Sequence, residues 1–129
     1  MSLLSSEKGN IEEKMREFSE KNWKLFRKKL RGWQEAYMQR LCQEYIELLS
    51  SDIKASERFW ELEKKIKADR KKTGVIATMS RSKMILNIAD LVYDGAISMD
   101  VLEEFSDDVK TAVRMLLRME NNEPDSILF

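Results

Sequence analysis

From Ile11 to Leu48 the apolar residues return in steps of three and four: Ile11, Met15 and Phe18, then Phe26, Leu30, Trp33, Tyr37, Leu41, Tyr45 and Leu48. No proline interrupts this stretch, and Gly32 is its one glycine. That spacing is the period of a single helix. Nearly forty such residues would extend about 60 Å at 1.5 Å per residue, whereas a compact domain of this chain length has a radius of gyration of about 14 Å. The helix must therefore protrude and pair with another chain, or fold into a hairpin. Asn22 and Gly32 are the two weak points at which it would break.

The start of this helix is expected at Asn10 as N-cap, with Glu13 three residues on to close a capping box. Residues 1–9 then read as a disordered or vector-derived leader. Ser50, Ser51 and Asp52 end the helix, and Asp52 or Ser56 is expected to cap a second one whose inward face is Phe59, Leu62 and Ile66. Arg70, Lys71 and Lys72 suit the negative end of the helix dipole, and Gly74 is the expected C-cap glycine. "VIATM", residues 75–79, fits either an extended connector or a helix entry.

A third helix is expected from Ser80 or Ser82 to Tyr93, with Ile85, Ile88, Leu91 and Val92 inward and Asp94-Gly95 as its stop. Ser98 introduces a short fourth (Val101, Leu102, Phe105). Ser106 with Asp107 and Asp108 opens a fifth (Val109, Ala112, Val113, Leu116, Leu117), which ends over Asn121 to Pro124. The fold class is thus all-α: a long N-terminal helix or helical hairpin over residues 10–72, in a dimer or alone, followed by a compact bundle of short helices over 73–120 and a tail over 121–129, all one folding unit. Each short helix has too little apolar surface to stand alone.

The residue inventory removes most catalytic chemistry. The chain has no histidine and one cysteine, Cys42. The commonest general base, the Ser-His and Cys-His pairs and most zinc sites therefore have no ligands or partners to use. No glycine-rich phosphate loop is present either. The chain is not expected to be an enzyme or to hold a cofactor or metal. Aligning Gly95 with the turn glycine of a calcium loop gives Asp90, Asp94, Ile97 and Ser98 a partial EF-hand likeness, but Val92 and Val101 stand where oxygen ligands are required. No run of 18 apolar residues occurs, and with no signal-peptide pattern a cytoplasmic setting is the expectation.

Charge is balanced overall yet split along the chain. Residues 10–72 carry 17 Lys/Arg against 12 Asp/Glu, and residues 73–129 carry 5 against 10. Within the basic half, Trp23, Phe26, Leu30, Trp33 and Tyr37 form one stripe, flanked by Lys24, Lys28 and Arg31 with Arg27 close by. Over "NWKLFRKKL", residues 22–30, the pattern resembles membrane-active amphipathic peptides of the cecropin type. The stripe runs on to Tyr45 and Leu48 through mixed-charge sequence, as a packing seam does, so membrane-surface binding is not expected. The expectation is a partner or dimer seam in which Trp33→Ala would cost about 3–5 kcal/mol. In the alternative reading Lys24, Lys28, Arg31, Lys64, Lys67 and Lys71 contact nucleic-acid phosphates from one surface of two antiparallel helices.

Residues 59–117, "FWELEKKIKADRKKTGVIATMSRSKMILNIADLVYDGAISMDVLEEFSDDVKTAVRMLL", resemble small uncharacterised helical proteins of Gram-positive bacteria and their mobile elements. The resemblance implies a bacterial or phage setting and carries no catalytic motif. The expected function is a non-enzymatic protein-protein interaction module, homodimeric, acting as a regulator or inhibitor that binds a host protein.

Overall fold

The computed structural model describes the backbone of residues 2–121 and the side chains of residues 20–120. The chain is all-α, and the described residues contain no strand. Helix α1 spans Ser2–Leu49, α2 Ala55–Asp69, the single turn α3 Thr73–Ile76, α4 Met84–Tyr93 and α5 Asp107–Asn121. A 3-10 turn over Met99–Leu102 joins α4 to α5.

Helix α1 is continuous through Gly32, so the expected break does not occur there. Its stretch from Glu20 to Leu49 is about 45 Å long at 1.5 Å per residue. A glycine costs a helix about 1 kcal/mol, and the packing of Phe26, Leu30, Tyr37 and Leu41 into the core on both sides of it outweighs that. Because the helix begins at Ser2, Asn10 is not its N-cap. The Glu13 reach of that capping box and the side chains of the expected leader lie outside those described, as does the tail from residue 122 onward.

The core forms where α4, the 3-10 turn and α5 fold against one side of α1. Phe26, Leu30, Ile88, Leu91, Leu102 and Val113 are fully enclosed, with Phe105 and Val109 almost so. Aromatic rings knit the α1 side together. Phe26 stacks near Trp23 at 6.0 Å and meets Trp33 edge-on at 6.3 Å, and Trp33 approaches Phe105 at 6.3 Å. Asn22, read from sequence as a weak point, is instead a clamp with 4% exposure. Its Nδ2 donates to Ser106 Oγ (2.9 Å) and its Oδ1 accepts the Ser106 backbone N–H (3.1 Å), which ties α1 to the start of α5. A buried amide with both ends paired favours one register between the two helices.

Helix α4 stops where the sequence says it should. Gly95 has φ +78°, a left-handed conformation that L side chains rarely adopt. Its N–H bonds to Val92 O (3.0 Å), and Ala96 N–H reaches Leu91 O (2.8 Å). This is the paired closure of a Schellman motif, with the Ala96 and Leu91 side chains both buried. The helix starts later than expected, with Lys83 rather than Ser80 or Ser82 at its N-cap.

Helix α2 differs most from expectation. Lys54, not Asp52 or Ser56, occupies its N-cap, and no side chain caps it. Phe59 and Ile66 do not face inward; the row turned to α1 is Arg58, Leu62, Lys65 and Asp69. Polar contacts decide this rotation. Tyr45 Oη donates to Asp69 Oδ2 (2.8 Å), Lys65 pairs with Glu44 (2.8 Å) and with Asp69 (3.4 Å), and Arg58 caps the Leu49 carbonyl (2.8 Å). Gly74 is not a C-cap but a buried residue of α3, pressed against the Tyr37 ring.

Candidate interaction surfaces

The stripe expected to pair with another chain is largely consumed inside this one. Phe26, Leu30 and Tyr37 are buried in the chain's own core, and Trp23 and Trp33 are half-buried against it. The correction has a simple cause. The short helices of the C-terminal half need an apolar partner, and the stripe is the largest one within reach of a tethered segment. Periodicity identifies an apolar face; it does not say whether the same chain or another covers it.

What remains outside is a different aromatic pair. Phe59 and Trp60 are each 62% exposed, with ring centroids 4.9 Å apart in an edge-to-face arrangement. On the helical wheel they share the outer face of α2 with Glu63, Lys67 and, at its margin, the exposed Ile66. Ile53 and, on α1, Ile46 and Leu49 are exposed near the same hairpin end. On that outer face Glu63 and Lys67 stand one turn apart with opposite charge. Sequence reasoning missed this surface because it assigned Phe59 to the core on hydrophobicity alone. The signal was present, since a Phe-Trp dipeptide cannot bury both rings on one narrow helix face.

The six expected phosphate contacts do not share one surface. Helix α2 runs antiparallel to α1, with Lys65 at Glu44 and Asp69 at Tyr45. The level of Glu44 lies about 20 Å along α1 from Arg31, so Lys64, Lys67 and Lys71 are displaced from Lys24, Lys28 and Arg31. The α1 group stands by itself and gains Arg27: Lys24, Arg27, Lys28 and Arg31, with Met79 opposite, line a groove of about 410 Å³.

The acids gather elsewhere. Glu103, Glu104, Asp107 and Asp108 surround the start of α5 and, with Lys21, Asn22 and Lys110, line a hollow of about 560 Å³. Lys29 closes the boundary by bonding Glu104 at 2.9 Å, and that hydrogen bond holds the Glu104 carboxyl below the usual carboxylate range. At the α1-α2 contact, burial and then the bond to Asp69 push the Tyr45 hydroxyl well above its ordinary value, so it stays a donor at any physiological pH.

The would-be calcium loop has another use. Asp94 Oδ2 accepts the Thr73 N–H (3.1 Å) and so anchors α3, while Asp90, one helical turn earlier, is half-buried. Burial, then the neighbouring Asp94 charge, raise the Asp90 pKa above its ordinary 3.8. The folded chain therefore holds that proton more tightly than the unfolded one. The stabilisation this brings is complete below about pH 3.8 and is lost as pH rises through the folded-state value. Asp90→Asn is accordingly expected to raise the urea midpoint at pH 7, with the gain shrinking as pH falls toward 4. A gain that grows on acidification would contradict this environment for Asp90.

Cys42 is exposed and unpaired by disulfide, and no three of His, Cys, Asp and Glu converge among the described residues. No helix among the described residues is long and apolar enough to cross a membrane. Compared with protein-family models, with curated proteins and with solved structures, the chain matches none.

Proposed function

We propose that this chain is a non-enzymatic helical interaction module whose docking surface is the outer face of α2, and that its first partner is a second copy of itself. The observation that carries the reading is the Phe59-Trp60 pair, two large rings held edge-to-face and left mostly outside the core. Aromatic anchors of this kind dominate the energetics of protein interfaces.

The charge order of α2 favours a second copy. When two α2 helices lie antiparallel across a two-fold axis, the outer-face Glu63 of each meets the outer-face Lys67 of the other. A two-fold interface must be self-complementary, and this helix has that property. As the wider role we propose a regulator or inhibitor of a bacterial host protein, in keeping with the bacterial or phage setting that the resemblance of residues 59–117 implies. The acid-lined hollow at the start of α5 is then a second surface left free in such a dimer.

Light scattering coupled to size exclusion, over a range of concentrations, tests the reading. The wild type should show a dimer mass at high concentration, and Phe59→Ala/Trp60→Ala should weaken association by about 30-fold or more, equivalent to the 2 kcal/mol or greater of an interface anchor. Melting of the monomeric variant should change little, because both rings are exposed. A wild-type monomer at every concentration would refute self-association.

A further inference from the structure

Lys24, Arg27, Lys28 and Arg31 stand at i, i+3, i+4 and i+7 on α1, so four cations occupy one helix face about 10 Å long. Three of them are flagged by sequence alone; Arg27 joins them because it lines the same groove. None of the four makes a salt bridge with any described residue, although Lys29, next in sequence, is paired with Glu104. Like charges at these spacings oppose the helix that carries them. The face is therefore held in place by the burial of Phe26 and Leu30 on the other side of α1, against its own repulsion.

The groove has a second wall. Met79 closes it from the loop before α4, and two residues on Arg81 is fixed by Glu20 at 2.9 Å, with its guanidinium 5.5 Å from the Trp23 ring centroid. The loop thus adds a fifth cation beside the four of α1, of which Arg27 also lies over the Trp23 ring, 5.9 Å from its centroid.

We propose that this face docks the phosphodiester backbone of nucleic acid. Three features select that partner. From Trp23 to Tyr45 the apolar side of α1 is packed in or against the chain's own core, so this segment keeps no apolar face with which to enter lipid. The centre of a protein interface is depleted of lysine and built around apolar anchors, and this groove offers only Met79. Phosphate docking needs neither. Its affinity comes from surface cations that displace condensed counterions, and a regular row of Lys and Arg supplies those. Acids bracket the row without entering it: Glu20, one turn before Lys24, is taken up by Arg81, Glu35 stands one turn after Arg31, and Glu104 is bonded to Lys29. The inference rests on α1 alone and is independent of self-association through α2.

The test is anisotropy of a labelled mixed-sequence DNA duplex of about 20 base pairs, titrated with the full chain at salt concentrations from about 50 to 200 mM. Four phosphate contacts predict a slope of log affinity on log salt of about −3.6, so binding should weaken about 100-fold over that range. Lys28→Gln/Arg31→Gln should reduce the slope by about two and weaken binding at low salt tenfold or more. Lys64→Gln/Lys67→Gln/Lys71→Gln should leave affinity within about twofold, which separates the α1 face from the lysines of α2. All these side chains are exposed, and unchanged melting confirms that the variants fold. Absence of binding at about 50 mM salt with 100 µM protein would overturn the proposal, since even non-specific duplex binders reach that range. Loss of binding in the α2 variant instead would overturn it as well, as would equal competition by polyglutamate, which would make an acidic protein the partner.

Discussion

Phe26→Ala should lower stability by about 3–5 kcal/mol, the largest effect of any single truncation on α1. The ring has no solvent exposure and sits between Trp23 and Trp33, with Leu30 one turn away. Removing it takes away the hydrophobic transfer energy of a whole aromatic side chain and leaves a cavity whose walls are other rings, which cannot collapse to fill it. For a chain of this length that loss lowers the melting temperature by more than about 10 °C. Because Phe26 lies where the 3-10 turn and α5 meet α1, the signature goes beyond Tm. Near-ultraviolet dichroism from Trp23 and Trp33 should weaken before helix content falls.

Trp33→Ala, for which the sequence alone suggests the same 3–5 kcal/mol, should cost less, because Trp33 is only half-buried. Thermal and urea melts of the two variants side by side are the check. An effect below about 1 kcal/mol for Phe26→Ala, or a larger one for Trp33→Ala, would show that the C-terminal helices do not close on α1 through this ring.

Much of the architecture was legible because helices announce their ends and faces locally. Gly95 after Asp94 stops α4, Ser106 before two acids opens α5, and the stripe through Phe26, Leu30 and Tyr37 marks the buried side of α1. The parts that were not legible are those settled by long-range pairing. Asn22 looks like a helix weakness until Ser106, 84 residues away, accepts and donates its bonds. Helix α2 has two candidate faces. The apolar one lost to a row containing Asp69, which has only 7% exposure, because Tyr45 and Lys65 satisfy that carboxylate against α1. An unpaired buried carboxylate is costly and a paired one is tolerated, but sequence shows no pairing across a hairpin. The same blindness hid the Phe59-Trp60 surface, which exists because α2 is rotated by polar contacts. The cationic row of α1 was partly visible, since its spacing is local; its separation from the lysines of α2 was not.

Gly74→Ala should destabilise by about 1–3 kcal/mol, although the backbone at this position is helical and would accept alanine without strain. The cause is contact. A methyl group on Gly74 would overlap the Tyr37 ring, which is buried below it. Neither side can retreat. The α3 turn is held to α1 by Gln34, whose Nε2 donates to Val75 O (3.3 Å) and Ala77 O (2.9 Å), and to α4 by the bond from Thr73 N–H to Asp94. Tyr37 has Arg40 at 5.5 Å from its centroid, and Arg40 is itself bonded to the Gly95 carbonyl at 2.9 Å. The methyl must therefore displace a ring that is fixed from several directions, and small-to-large changes in such places cost more than the added group returns. A double-mutant cycle separates this cause from a general intolerance of the turn. In a Tyr37→Ala background the ring is gone, and Gly74→Ala should become neutral or slightly stabilising, because alanine is the better helix former. An equal penalty in both backgrounds would place the cost in the α3 backbone and remove Tyr37 from the account.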